Sequence, residues 1–149
     1  MQFDTLACTG KTLAYAQRCM EKAQAEGMVP ADRSPLNGGE TAIIARFATQ
    51  DGFLNQGISV FYEADTGLIW LDLLFVEPEY RRRNIGWHLL EATRSFAVQQ
   101  RFQEIALGTM ASNAPMRGLM MKAPGLFQGD MDRWGSVCFS ERLARRASR

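Results

Sequence analysis

Residues 68–76 read LIWLDLLFV, an apolar run broken only by Asp72, with Pro78 just beyond its end. The run is too short to cross a bilayer as a helix, which takes about 20 apolar residues. It reads instead as a strand, with positions 70, 72 and 74 on one face and the odd positions on the other. After it come three adjacent arginines in EPEYRRRNIG, then a stretch from about 84 to 101 with Ile85, Leu89, Ala92 and Phe96 along one helical side. EIALGTM (104–110) is a further strand. A helix that joins two strands of one sheet sets them parallel, through a right-handed crossover. That unit limits the chain to folds containing a parallel pair.

The flanking segments add antiparallel elements. Residues 1–7 form a short strand. Residues 10–26 form a helix, with Leu13, Ala16, Met20 and Ala23 at helical spacing and Gly27 as its stop. VPADRSPLNGG is a loop rich in Pro, Gly and Asn, long enough to border a substrate mouth. TAIIARFAT (41–49), GISVFYEA (57–64) and the 68–76 run then follow as a meander, with DTG (65–67) as a tight turn. Residues 113–123 read as a short helix capped by Asn113, and WGSVCFSERL (134–143) as a last strand. The final ARRASR is a basic tail.

At 149 residues the chain suits a single domain, 1–149, with a core of its own. A formal net charge of +1 gives no global field to recruit nucleic acid or a membrane surface. The start, MQFDTLAC, lacks the basic and apolar regions of a signal peptide. Cys8, Cys19 and Cys138 are odd in number and show no ligand spacing, which fits reduced thiols and a cytoplasmic protein. With His88 as the sole histidine, no metal site is expected. A monomer and a homodimer both stay open.

Three adjacent guanidinium groups repel one another, so their clustering where a strand hands over to a helix calls for a reason. A helix N-terminus exposes unpaired N–H groups and carries about half a positive charge. Such a site prefers phosphate, and arginine can grip two phosphate oxygens. Gly86 allows close backbone approach, and Asn84 tolerates a left-handed conformation. Local chemistry alone leaves a pyrophosphate cradle and a solvated charge cluster both open. The segment is neither a Walker loop nor a G-x-G-x-x-G fingerprint.

The wider segment narrows the choice. LLFVEPEYRRRNIGWHLL resembles the acyl-CoA-binding segment of the GNAT superfamily of N-acyltransferases, in which a strand ending V-x-P-E-Y-R meets the loop [RQ]-x-x-G-x-[GA] and a helix. Here that loop is Arg81, Arg82, Arg83, Asn84, Ile85 and Gly86. SNAPMRGLMMKAPGLF is similar to the second signature, N-x-x-A-x-x-L-Y-x-K-x-G-F, through Asn113, Leu119, Lys122 and Phe127. The resemblance implies an α/β (α+β) fold: a mixed, mostly antiparallel central sheet flanked by helices and splayed between the fourth and fifth strands. It implies acetyl-CoA as co-substrate, its pyrophosphate on residues 81–87, which end at Trp87. Leu74, Phe75 and Val76 would pair with the pantetheine arm, and Asn113 would join the coenzyme site. It implies an N-acetyltransferase acting on a primary amine, small-molecule or protein, by direct attack and without metal or covalent intermediate. The alternative is a non-catalytic acyl-CoA-binding or assembly protein of the same fold.

The match has gaps. Asn84 replaces the loop's first glycine, and Met120 stands where a tyrosine often protonates the departing thiolate. The fifth-strand neighbourhood LGTM lacks the glutamate base of one branch of the family. Asp72, unusual in an apolar strand, is the candidate base, with a structural carboxylate bonded to nearby backbone as the rival role. Trp70 and Trp134 could line an acceptor pocket or simply pack. Met120 reads as core, Glu77 as loop surface, His88 as solvated helix face and Cys138 as a buried strand residue.

Overall fold

The computed structural model describes residues 1–110, 114–122, 127–131 and 136–143. In chain order these form β1 (Gln2–Ala7), α1 (Gly10–Ala25), β2 (Thr41–Thr49), β3 (Gly52–Asp65), β4 (Leu68–Val76), a 3-10 turn (Pro78–Tyr80), α2 (Ile85–Gln99), β5 (Glu104–Met110), α3 (Ala114–Lys122), β6 (Phe127–Met131) and β7 (Ser136–Arg142). The strands make one sheet in the order β1-β2-β3-β4-β5-β7-β6. Every described pair is antiparallel except β4–β5, the parallel pair expected from the helical crossover.

The sheet has a core on each face. Ala16, Cys19, Met20 and Ala23 of α1 pack on Ala42, Ile44, Ile58 and Val60. On the other face Ile85, Leu89, Leu90 and Ala97 of α2 pack on Ile43, Phe61, Ile69 and Ile105, with Met120 of α3 and Phe139 of β7. Met120 is fully buried there, in the packing role read from the sequence.

Two irregularities in β4 shape everything that follows. The first is a bulge. Phe61 pairs with Leu71 and Val60 with Leu73, so Asp72 is an extra residue with no partner on β3. The bulge reverses the faces. Ile69 and Leu71 belong to the α2-side core, whereas Leu73 and Phe75 belong to the α1-side core. Strict alternation through 68–76 is therefore corrected: Leu74 and Val76, not Leu73 and Phe75, pack on the same side as Ile69 and Leu71.

The second irregularity is the splay. The β4–β5 ladder runs from Leu68↔Glu104 to Leu71↔Leu107 and stops. Beyond it β5 continues with β7, as far as Met110↔Ser136, while β4 continues with β3, as far as Val76↔Gly57. The strands part into a V whose apex is Leu71–Asp72. Gly57 matters to this arrangement, because a Cβ there would lie 2.6 Å from the Phe75 carbonyl oxygen.

Other boundaries differ slightly from the sequence reading. β3 starts at Gly52 rather than Gly57, because the Asp51-Gly52 turn joins β2 and β3 as a hairpin. β6 was not expected at all.

Candidate active site

Between β4 and α2 the chain makes the 3-10 turn and then a short basic loop. Arg82 (φ 66°) and Asn84 (φ 61°) are both left-handed. Asn84 is a residue suited to that conformation. Arg82 is not, and a branched-chain-free but bulky side chain there costs about 1–2 kcal/mol. Alternating left-handed residues turn successive amides toward one side, the form of an anion nest. α2 then begins at Ile85 with no side-chain cap on its N-terminal amides. Among the described residues, no backbone hydrogen bond is donated by the N–H groups of residues 82–87. An uncapped helix start with open amides has unmet demand for an anion.

Those amides border a cavity of about 930 Å³. Leu74, Phe75 and Val76 of β4 form one wall, and Arg81, Arg82, Asn84, Ile85, Gly86 and Trp87 form the floor. Met116, Leu119 and Lys122 of α3 and Met28 after α1 complete it. Most of the residues singled out for coenzyme binding thus meet in one place. Arg83 is the exception: its guanidinium lies 5.7 Å over the Tyr80 ring and the residue does not line the cavity. Asn113 lies outside the described residues, as does Trp134. Met28 and Met116 were not foreseen, whereas Tyr80 falls within the V-x-P-E-Y-R strand end of the first signature. Leu119 and Lys122 were quoted in the second signature, which was the available signal for them.

The wall formed by β4 offers backbone partners. The Glu77 N–H bonds the Gln56 carbonyl at 2.9 Å, so residue 77 faces β3. Antiparallel alternation then turns the N–H groups of Val76 and Leu74 toward the cleft. Among the described residues no strand pairs with this side of β4 beyond Leu71, and a ligand with amides of its own would satisfy these groups.

Arg81 has a different task from the one its charge first suggests. Its Nε donates to the Val76 carbonyl at 2.9 Å, and its two Nη atoms meet Glu26 Oε2 and Oε1 at 2.5 and 2.8 Å. Its guanidinium also lies 5.3 Å over the Phe75 ring. The fork therefore staples the end of β4 and the loop to the end of α1. Arg82 and Lys122, unlike Arg81, pair with no carboxylate among the described residues, though all three line the cavity.

The hydrogen bond from Arg81 holds the Glu26 carboxyl below the usual glutamate range. A depressed carboxyl contributes stability above its unfolded pKa, near ~4.3, and loses it as pH falls through the lower folded value. Glu26→Gln is therefore expected to lower unfolding stability by under about 1 kcal/mol at pH 7, and by less at pH 3. Urea unfolding of both proteins at the two pH values checks this.

Glu77 corrects the expectation of loop surface. It is 8% exposed and accepts from Lys22 Nζ at 2.8 Å and the Tyr15 hydroxyl at 3.3 Å. Cys138 corrects the expectation of burial: it is exposed on β7. Cys8 and Cys19 are buried free thiols, each pushed up to about 11 by burial, which makes them poor nucleophiles. His88 is exposed on α2, its ring 6.4 Å from Phe3.

Asp72 does not line the cavity; it stands at the apex of the V, beyond Leu74. From Val76 to Asp72 is four residues, roughly 13 Å of strand. Its side chain is 11% exposed and ion-paired with Arg33. Burial pushes its carboxyl above the usual aspartate range, and the Arg33 guanidinium opposes the rise. Trp70, two residues before Asp72 on β4, lies against Gly108, where a Cβ would sit 3.5 Å from the indole.

With this geometry in view, comparison with known families is decisive. Residues 27–123 match the model of the acetyltransferase (GNAT) family. The chain belongs to the GNAT family. The matched span holds β2 to β5, the basic loop and α3, which are all the elements around the cavity. Solved structures share the GNAT fold along the whole chain. A domain from Methanocaldococcus jannaschii DSM 2661 superposes with a TM-score of 0.75 at 10% identity, over 95% of this chain and 99% of that one. A GNAT-family acetyltransferase from Staphylococcus aureus Mu50 gives 0.73 at 15%, over 96% and 100%. YncA of Salmonella typhimurium, solved with its cofactor acetyl-CoA, gives 0.69 at 13%, over 100% and 98%. At such identities the likeness is one of fold. The comparison with curated proteins found no match. Among the described residues, no helix is long and apolar enough to cross a membrane.

Proposed function

We propose that this GNAT-family protein is an acetyl-CoA-dependent N-acetyltransferase that acylates a primary amine by direct attack. One observation carries the reading: the uncapped α2 amides and the unpaired edge of β4 open into the same cavity. The first suits a pyrophosphate and the second suits the amide-bearing pantetheine arm, and coenzyme A carries both in one molecule. That YncA was solved with acetyl-CoA, and that a fold neighbour from Escherichia coli is a ribosomal-protein-S18-alanine N-acetyltransferase, supports the reading.

When bound, acetyl-CoA supplies an activated acetyl thioester. The residues of the chain do the rest. The amides of 82–87, with Arg82 and Lys122, hold the phosphates. The N–H groups of Leu74 and Val76 hold the arm and polarise the thioester carbonyl. Asp72, at the apex where the arm ends, removes a proton from the attacking amine. A lysine-like amine is only about 0.04% neutral at pH 7, so a positioned base has much to contribute. A thiol has a pKa near ~8.5, so thiolate can leave without the tyrosine that Met120 replaces.

Met120 also favours the second reading, an acyl-CoA-binding protein without turnover, because a buried thioether donates no proton. Release of free thiol from acetyl-CoA across a panel of alkylamines, amino acids and peptide N-termini separates the two. Turnover with one acceptor class supports the enzyme. Tight binding of acetyl-CoA with no thiol release across the panel replaces it with the binding protein.

A further inference from the structure

The loop between α1 and β2 sends one side chain to the apex of the cleft. Arg33 Nη1 donates to the Asp72 carbonyl at 3.0 Å, and Arg33 Nη2 donates to Asp72 Oδ1. Both acceptors belong to the bulged residue, to which β3 offers no partner in register. A carbonyl and a carboxylate left out of the ladder and mostly buried each need a donor, and an unmade bond there costs about 1–3 kcal/mol. One guanidinium fork supplies both. The rest of the loop is held more lightly: Gln24 Nε2 reaches the Pro30 and Arg33 carbonyls at 3.2 and 3.3 Å, and the Leu36 N–H reaches Gln17 Oε1 at 3.0 Å. Met28, at the start of the same loop, lines the cavity. The loop thus borders the cleft at one end and grips its apex at the middle.

Resting on the reading of this cleft as an acetyl-CoA site, we propose that Arg33 is the positioning residue of its acceptor side. It fastens the 28–39 loop across the apex and fixes Asp72 with Oδ1 engaged and Oδ2 left for the incoming amine. Asp72 Oδ2 enters no hydrogen bond among the described residues. Nothing in the coenzyme-binding signatures marks Arg33, which lies 39 residues before its partner.

The groups that bear on Asp72 come from several elements. Arg33 faces it from the loop, Glu40 from the loop's end, Tyr62 from β3 and Cys8 from the end of β1. Burial and Glu40 favour the protonated acid, and Arg33 alone favours the carboxylate. Removing Arg33 must therefore move the Asp72 titration upward. Lysine keeps the charge but not the two-pronged fork, so it restores the effect only in part.

The test follows the Asp72 carboxyl by carbon-13 NMR, assigned with Asp72→Asn, in the parent, Arg33→Met and Arg33→Lys. The Asp72 midpoint is expected to rise by a pH unit or more in Arg33→Met and to return partway in Arg33→Lys. The acid limb of acetyl transfer should shift in the same order. Arg33→Lys alone serves if the methionine variant does not fold, with a smaller upward shift expected. Coenzyme A affinity, measured by calorimetry on the same proteins, should change less than about threefold. An Asp72 midpoint equal in parent and variants would overturn the role of Arg33 while leaving the coenzyme site intact. A parent that fails to bind coenzyme A would overturn the cleft reading itself, and the acceptor role of Arg33 with it.

Discussion

Asp72→Asn is expected to lower acetyl transfer about 10²- to 10⁴-fold, the range for loss of a positioned general base. Coenzyme A affinity should stay within about twofold, because Asp72 lies outside the cavity wall, in the middle of β4 and roughly 13 Å of strand from Val76. Asparagine keeps the shape of the side chain and an oxygen for Arg33, so the bulge should survive. The sign of the pH dependence follows from burial. The Asp72 carboxyl is raised above its ordinary range, so the parent should lose activity on acidification at a pH above the usual ~3.9 of aspartate. No falling limb from a tyrosine acid should appear near pH ~10, because Met120 has no proton to give. Steady-state turnover of both proteins across pH 4 to 10 checks all three statements. A variant as fast as its parent would leave Asp72 only its structural bonds to Arg33.

Gly86→Val is expected to weaken coenzyme A binding by at least ~10-fold, which is about 1.4 kcal/mol. A Cβ at position 86 would lie 3.5 Å from Leu119 Cδ2 and 3.6 Å from Val76 Cγ2, in ordinary contact. The folded protein should therefore accept the change, and replacing glycine in a first helical turn does not harm helix propensity. The cost is expected to fall on the ligand, since the added side chain lies between Val76 of β4 and Leu119 of α3, beside the α2 amides proposed to hold the phosphates. Calorimetry with coenzyme A and a thermal melt of the free variant separate the two effects. A melt unchanged within a few degrees with weaker binding is the expected pair of results.

The parts of this site that lie next to one another in the chain were legible before the fold was known. A buried strand, a basic loop and an amphipathic helix in direct succession dictate a crossover and place open amides at its top. Asn84 announced its left-handed conformation by its chemistry; Arg82, also left-handed, did not, because nothing about arginine asks for it. The bulge was hidden for a different reason. LIWLDLLFV is apolar on both faces apart from Asp72, so one inserted residue leaves the composition of each face apolar while exchanging which core it joins. Contacts between distant segments were also out of reach. Glu26 and Arg33 look like ordinary surface charges near a loop until the fold sets them beside Arg81 and Asp72. Glu77 looked solvated beside a proline, yet Tyr15 and Lys22 of α1 bury it. β6 was missed because FQGDM, with its glycine and aspartate, carries little strand propensity of its own.

The central claim is that one ligand joins the α2 amides to the free edge of β4. Backbone amide NMR during titration with coenzyme A tests it most directly. The largest shifts are expected at residues 82–87 and at Leu74 and Val76, saturating together with one affinity, and with little change on the β1–β2 side of the sheet. Saturation with the largest shifts elsewhere, or shifts at 82–87 with none at Leu74 and Val76, would contradict it.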